Sequence, residues 1–176
     1  MTDTPTAGDL VAQYIRAVPD FPEPGILFRD ITPLLAEPSA FAQALDWVTE
    51  HCRDADAIVG IESRGFIIGA PIAQRLNLPF VPIRKAGKLP ADTISRSYDL
   101  EYGSATIEMH SDAIVAGSRI ALVDDLLATG GTAEAAIQLI AHAEAEIAKV
   151  AFLIELEALN GRDRLEPHSV ESMLVY

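Results

Sequence analysis

Asp124 and Asp125 stand side by side after the apolar run Ala121-Leu122-Val123, and Leu126-Leu127-Ala128 separates them from Thr129-Gly130-Gly131-Thr132. A buried-looking strand that ends in two carboxylates and breaks into a Gly-rich, hydroxyl-bearing turn has the build of a phosphate site. The residues that follow, Ala133 to Ile140, are strong helix formers with apolar side chains at 136, 137, 139 and 140, so the turn opens a helix. The unpaired N–H groups of a helix start and the positive end of its dipole attract a phosphate dianion. Thr129 and Thr132 add hydroxyl donors, while Gly130 and Gly131 let the backbone curl around the anion without a Cβ in the way. Adjacent carboxylates repel each other and resist desolvation, so a purely structural turn has little reason to keep both. The bland alternative is a pair of solvated acids ahead of an ordinary Gly-Gly turn. The loop lacks the Lys-Ser/Thr of a P-loop and the Gly-x-Gly-x-x-Gly of a dinucleotide fingerprint.

The basic residues matter because they are few. The chain carries a formal net charge of −13 over 176 residues, which opposes nucleic acid as a partner. Against that background Arg64, Arg84, Lys85 and Lys88 gather mid-sequence and suggest a local anion site, the alternative for each being a surface charge whose stem covers the core. Cys52 is the only cysteine, so no intramolecular disulfide is possible and a reducing compartment is the simpler assumption. It falls in register with Phe41, Leu45 and Val48 on a helix that Ser39 could cap, and reads as a small core residue. The histidines at 51, 110, 142 and 168 have no ligand or triad spacing and read as surface or structural. With Asp3 and Asp9 near the amino terminus and no apolar run of membrane-spanning length, the expectation is a soluble cytoplasmic protein without a membrane partner.

These residues need a scaffold. Length and the absence of a linker or repeat predict a single domain over 1–176. Leu10, Val11, Tyr14 and Ile15 suggest a short helix that stops near Pro19, and a Pro-rich stretch then runs to Pro24-Gly25. That stretch is irregular yet apolar, so Phe21, Ile26, Leu27, Phe28 and Ile31 should cover either the core or a flat ligand. A strand over 57–61, a turn over 62–65, a helix over 66–76 and a strand over 80–83 make a βαβ crossover. From Thr93 to Met109 the pattern alternates, with Ser104, Thr106 and Glu108 opposed to Ala105, Ile107 and Met109, as in an antiparallel flap. Strands over 119–123, 150–156 and 172–176 complete an α/β fold with a central, mainly parallel sheet flanked by helices. Its carboxyl edge would set the 62–65 turn and the 124–132 loop around one crevice.

Val123-Asp124-Asp125-Leu126-Leu127-Ala128-Thr129-Gly130-Gly131-Thr132 resembles the phosphoribosyl pyrophosphate (PRPP) motif of the type I phosphoribosyltransferases. Further segments are similar to those of the adenine-specific branch: Phe21 to Ile31, Glu62-Ser63-Arg64-Gly65-Phe66, Arg84 to Pro90 and Tyr98-Asp99-Leu100-Glu101-Tyr102-Gly103. The resemblance implies the type I fold, with a base-binding hood within about 1–35 and a flexible flap within about 90–110. It implies transfer of the 5-phosphoribosyl group of PRPP to adenine, giving AMP and pyrophosphate in purine salvage, with Mg²⁺ as cofactor and a homodimer as the assembly. Ala128, Thr129, Gly130, Gly131 and Thr132 would then hold the 5-phosphate, and Asp124 and Asp125 the ribose hydroxyls, with Mg²⁺ on the substrate oxygens near these carboxylates rather than in a dedicated protein cage. Glu62, Ser63, Arg64, Lys85, Lys88 and an Arg84 reaching over from a second subunit would face the pyrophosphate, with the Glu62–Ser63 peptide in the cis form. Leu27, Phe28 and Arg29 would receive adenine, Glu101 would approach its N7 as general acid or base, and Tyr98 and Tyr102 would belong to the closing flap. From the residues alone Glu101 is an exposed hairpin charge.

Two other readings compete. A regulator that kept the fold as a PRPP sensor would need an appended nucleic-acid-binding segment or a basic face, and would not need the 28–29 and 101 segments. A transferase for 6-oxopurines would need a pocket that donates to O6, which the sequence alone does not decide.

Overall fold

The structure, a computed structural model, describes residues 6–99 and 103–176, so Leu100, Glu101 and Tyr102 lie outside the described residues. The chain divides into two compact units, Met1–Trp47 and Val48–Tyr176.

The first unit opens with helix α1 (Ala7–Ala12), capped by a reciprocal pair in which the Thr6 hydroxyl accepts from the Asp9 amide and the Asp9 carboxylate accepts from the Thr6 amide. The helix is shorter than its sequence suggests. Arg16–Pro19 forms strand β1 instead, paired antiparallel with β2 (Leu27–Asp30) in the register Arg16↔Asp30 to Pro19↔Leu27. An Arg16–Asp30 ion pair at 2.7 Å closes one end of this ribbon. At the other end Phe21 meets Phe28 edge-to-face at 5.2 Å. The tertiary contacts of a β-ribbon override the local helical signal of Tyr14 and Ile15. Helix α2 (Thr32–Ala36) follows, and α3 (Pro38–His51) carries the chain into the second unit. Ser39 lies inside α3 rather than ahead of it. Glu37 takes the capping role, its carboxylate accepting from the Ser39 amide at 3.4 Å and hydroxyl at 2.8 Å. Of the expected stripe, Leu45 and Val48 on this helix and Cys52 just past its end are buried, while Phe41 is half-buried.

In the second unit β3 (Ala57–Ile61), α4 (Arg64–Leu76) and β4 (Phe80–Lys85) make the βαβ crossover, with β3 and β4 parallel. The hairpin β5 (Thr93–Asp99) and β6 (Ser104–His110) is antiparallel and joins the sheet through β4 at Arg84↔Glu108 and Lys85↔Ile107. The expected flap is therefore built on the edge of the main sheet. Then come β7 (Arg119–Leu127), α5 (Gly131–His142), β8 (Glu146–Glu155), two short 3₁₀ turns at Glu157–Leu159 and Gly161–Leu165, and β9 (Val170–Val175). The sheet runs β5-β6-β4-β3-β7-β8-β9, parallel from β4 through β9. Doubly covered parallel strands are apolar along their whole length, and every residue of β3 is buried. Ile58, Ile120, Leu122, Leu139, Ile140 and Phe152 are almost fully enclosed, each stabilising the fold by roughly 1.5–3 kcal/mol. No helix among the described residues is long and apolar enough to cross a membrane.

Candidate active site

The strand order reverses at β3: the chain passes from β3 to β4 on one side and returns to β7 on the other. Open α/β sheets bind ligands at this kind of switch point, beyond the carboxyl ends of the strands. A cleft of about 280 Å³ lies there, lined by Glu62 and Arg64 after β3, Lys85 at the end of β4, Tyr98 on β5, and the run Asp124 to Thr132 after and along β7. A smaller adjoining hollow of about 200 Å³ includes Ser63. The loop and the mid-sequence cations expected to share one crevice thus do so through Arg64 and Lys85.

Asp124 and Asp125 do not end their strand, as the sequence suggests, because β7 continues to Leu127 along β8, with Leu127 opposite Glu155. On the β3 side the pairing stops at Gly60↔Val123. The two acids are therefore held by one neighbour and released by the other, which opens them to the start of α4. Asp125 pairs with the Arg64 guanidinium and is 3 % exposed. Asp124 accepts a hydrogen bond from the Asp125 amide at 2.9 Å. A Cβ on Gly65 would stand 2.8 Å from the Val123 carbonyl oxygen and 3.1 Å from Asp124 Oδ1, so only glycine lets α4 approach the strand this closely. Burial, and then the neighbouring charge of Asp125, push the Asp124 carboxyl well above its ordinary range.

Neither helix that begins at the cleft is capped by a side chain. Ser63 precedes α4 without a side-chain cap bond, and Gly130, at φ 82°, precedes α5 in the same way. The sequence places the second helix at Ala133, but Gly131 and Thr132 already belong to its first turn. Two uncapped N-termini, each with a positive dipole end, thus supply first-turn residues to one cleft. The Glu62–Ser63 peptide is cis.

The basic segment is organised by two carboxylates. Glu62 accepts from Arg84 Nη2 at 2.8 Å and from the Lys85 amide at 3.1 Å, and the Arg84 guanidinium holds the Glu62 carboxyl below its ordinary range. Arg84 Nη1 donates to the Lys88 carbonyl at 2.9 Å. Arg84 and Lys88 are not among the residues lining the cleft of their own chain. Glu108, placed by alternation among polar outward residues, is instead 7 % exposed. One of its oxygens accepts from the amides of Gly87, Lys88 and Leu89 at 2.9, 3.2 and 3.3 Å. No local pattern in the sequence distinguishes it from Ser104 or Thr106, since its partners lie about twenty residues away.

A second group escapes sequence reasoning. The Gly161–Leu165 turn packs behind the phosphate loop, and a Cβ on Gly161 would meet the Ala128 carbonyl oxygen at 2.1 Å. Asn160-Gly161 marks a turn in sequence but not its neighbour.

In the first unit Leu27, Phe28 and Arg29 occupy β2. Leu27 is 46 % exposed, as are Phe21 and Ile26 at 51 % and 44 %, while Ile31 is buried, so the apolar stretch divides between core and open surface. Val18, Phe21, Phe28 and Asp30 line a shallow hollow of about 230 Å³. Glu101 and Tyr102 fall outside the described residues. Among the described residues no three His, Cys, Asp or Glu side chains stand together as a metal-binding group.

Known proteins share this arrangement. The family model described as the phosphoribosyl transferase domain matches residues 32–174. The adenine phosphoribosyltransferase of Streptomyces coelicolor is 55 % identical over 169 residues, covering 95 % of this chain and 93 % of that protein. That of Koribacter versatilis is 51 % identical over 170 residues, covering 96 % and 93 %. Among solved structures, adenine phosphoribosyltransferase from Thermoanaerobacter pseudethanolicus superimposes with a TM-score of 0.93 at 43 % identity, covering 96 % of this chain and 99 % of that one. The Saccharomyces cerevisiae enzyme, solved in complex with adenine, gives a TM-score of 0.92 at 39 % identity, with coverage of 96 % and 98 %. With motif, switch-point cleft, sheet order and whole-chain identity in agreement, the chain belongs to the phosphoribosyl transferase domain family and, within it, to the adenine phosphoribosyltransferases.

Proposed function

We propose that this protein transfers the 5-phosphoribosyl group of PRPP to adenine, releasing pyrophosphate and forming AMP. The observation that carries this reading is the single cleft fed by two uncapped helix starts, one beside paired carboxylates and the other beside a guanidinium. A sugar with phosphate at both ends matches that layout. Ala128 to Thr132 grip the 5-phosphate through backbone donors and the two threonine hydroxyls. Asp124 and Asp125 hold the ribose hydroxyls and favour the positive charge that develops at the anomeric carbon. Arg64 and Lys85, with Glu62 and Ser63 beside them, neutralise the departing pyrophosphate, and Lys88 and an Arg84 supplied by a second subunit assist. In the first unit Leu27, Phe28 and Arg29 receive the base.

Adenine N9 forms its bond to the anomeric carbon with its ring lone pair as the bond to pyrophosphate oxygen breaks and the pyrophosphate leaves with that electron pair. The proton the ring must lose passes from N7 to the Glu101 carboxylate. Glu101 at N7 adjusts the protonation of the imidazole part of the base. Tyr98 and Tyr102, in the flap within about 90–110, exclude the water that would otherwise hydrolyse the cationic sugar. The hard carboxylate oxygens of Asp124 and Asp125 would hold Mg²⁺, which would supply charge neutralisation for the departing pyrophosphate. The working form in this reading is a single-domain, cytoplasmic homodimer with a hood within about 1–35.

Chromatography of reactions containing PRPP, Mg²⁺ and adenine, guanine, hypoxanthine or xanthine in parallel tests the reading. AMP from adenine alone, lost in Asp124→Asn/Asp125→Asn, is expected. Absence of nucleotide from every base, with PRPP still bound, overturns it.

A further inference from the structure

The phosphate loop is shaped from behind. A Cβ on Gly161 would stand 2.1 Å from the Ala128 carbonyl oxygen and 2.9 Å from the Gly130 amide, and one on Gly130 would stand 2.5 Å from the Gly161 carbonyl oxygen. Two glycine backbones therefore touch with no side chain between them, and the loop takes its position from the turn. The turn has its own anchor in Arg162. Its Nε donates to Glu155 Oε1 at 3.0 Å, its Nη2 to Glu155 Oε2 at 2.5 Å, and its Nη1 to the Val170 carbonyl at 2.7 Å. Glu155 is 6 % exposed and ends β8, where the Leu156 amide donates to the Leu127 carbonyl at 2.9 Å. The Arg162 fork thus ties the turn to β8 and β9, and the Leu156 amide in turn ties the end of β8 to the strand that leads into the loop. Leu165, fully buried, fixes the far end.

We propose that Arg162, clamped on Glu155, is a positioning residue for the 5-phosphate, acting through the Gly161 backbone on Ala128 and Gly130. The inference rests on the assignment of that loop to a phosphate. A planar, bidentate guanidinium holds a turn in one place, which a lysine ammonium does not. Phosphate sites tolerate little looseness, since displacements near an ångström cost on the order of a hundredfold in rate.

The test compares wild type, Gly161→Ala and Arg162→Lys with Ile58→Val, a core variant remote from the loop. Calorimetry gives ribose 5-phosphate affinity, and steady-state kinetics give KM for PRPP and kcat. Both turn variants are expected to weaken ribose 5-phosphate and raise KM for PRPP by about tenfold or more, with a smaller change in kcat, while Ile58→Val moves neither. Should Gly161→Ala not fold, Arg162→Lys decides. Unchanged affinity and KM in folded Arg162→Lys, or an equal loss in Ile58→Val, overturns the positioning role. Failure of the wild type itself to bind ribose 5-phosphate instead overturns the phosphate-site assignment.

Discussion

Asp124→Asn should make the protein more stable and less active. Burial and the adjacent Asp125 charge push the Asp124 carboxyl up in the folded state from an ordinary value of 3.8. A group whose folded value is raised contributes its stability at low pH and loses it as pH climbs through the folded value. Ionised Asp124 therefore weighs against folding at neutral pH, and each unit of upward displacement is worth about 1.4 kcal/mol. Asparagine has nearly the same shape and still presents an oxygen to the Asp125 amide, now at 2.9 Å. It fits beneath Gly65 without added atoms, and Arg64 keeps its partner Asp125. Removing a half-buried charge that is only partly compensated should return about 1–2 kcal/mol at pH 7.5. For a chain of this length that is roughly 2–4 °C in Tm per kcal/mol. Differential scanning calorimetry of both proteins between pH 4 and pH 8 provides the assay. The gain should shrink as pH falls toward the ordinary aspartate value, because the wild-type carboxyl then takes up its proton. A variant less stable than wild type at pH 7.5, or a gain that does not change with pH, would refute the reasoning. Activity should fall in the same variant, since the charge that costs stability is the one proposed to face the cationic sugar.

Two further outcomes follow from groups outside the cleft. Glu108→Leu removes the shared acceptor of the Gly87, Lys88 and Leu89 amides; because that loop is exposed and water can replace part of the loss, urea denaturation should show a cost of about 1–2 kcal/mol. Cys52 is 1 % exposed and burial pushes its thiol up to about 12, so iodoacetamide at pH 8 should leave the native protein unmodified and alkylate it only after unfolding; rapid native labelling would contradict this placement.

Sequence pattern is most informative where one physical requirement dominates. The fully buried strand β3 is legible at its exact ends because five consecutive residues must all be apolar, and the Asp-Asp and Thr-Gly-Gly-Thr run announces an anion site because few other uses suit those residues together. Legibility fails where a neighbour decides. Strand β7 outruns its carboxylates because β8, not local propensity, pairs with Leu126 and Leu127. The stretch from Arg16 to Pro19 becomes a strand because β2 lies alongside it, and α4 begins at Arg64 because Gly65 can sit against β7. In the site, the mid-sequence cations that suggested an anion site supply Arg64 and Lys85 to the cleft, whereas Glu108 and Arg162 were invisible because the role of each is set by partners that no local pattern announces.

The cleft's two cations, Arg64 and Lys85, stand beside Glu62, Asp124 and Asp125 in a chain of net charge −13, so attraction is confined to their immediate neighbourhood while repulsion reaches further. A polyphosphorylated ligand approaching from afar meets repulsion, and only within contact distance of Arg64 and Lys85 does attraction take over. At 0.01 M ionic strength the screening length of about 30 Å leaves the repulsion in place along the whole approach, whereas at 0.15 M, where it is about 8 Å, only the contacts at the cleft remain effective. Moderate salt should therefore speed capture of the ligand, the reverse of the behaviour of a basic surface built for nucleic acid.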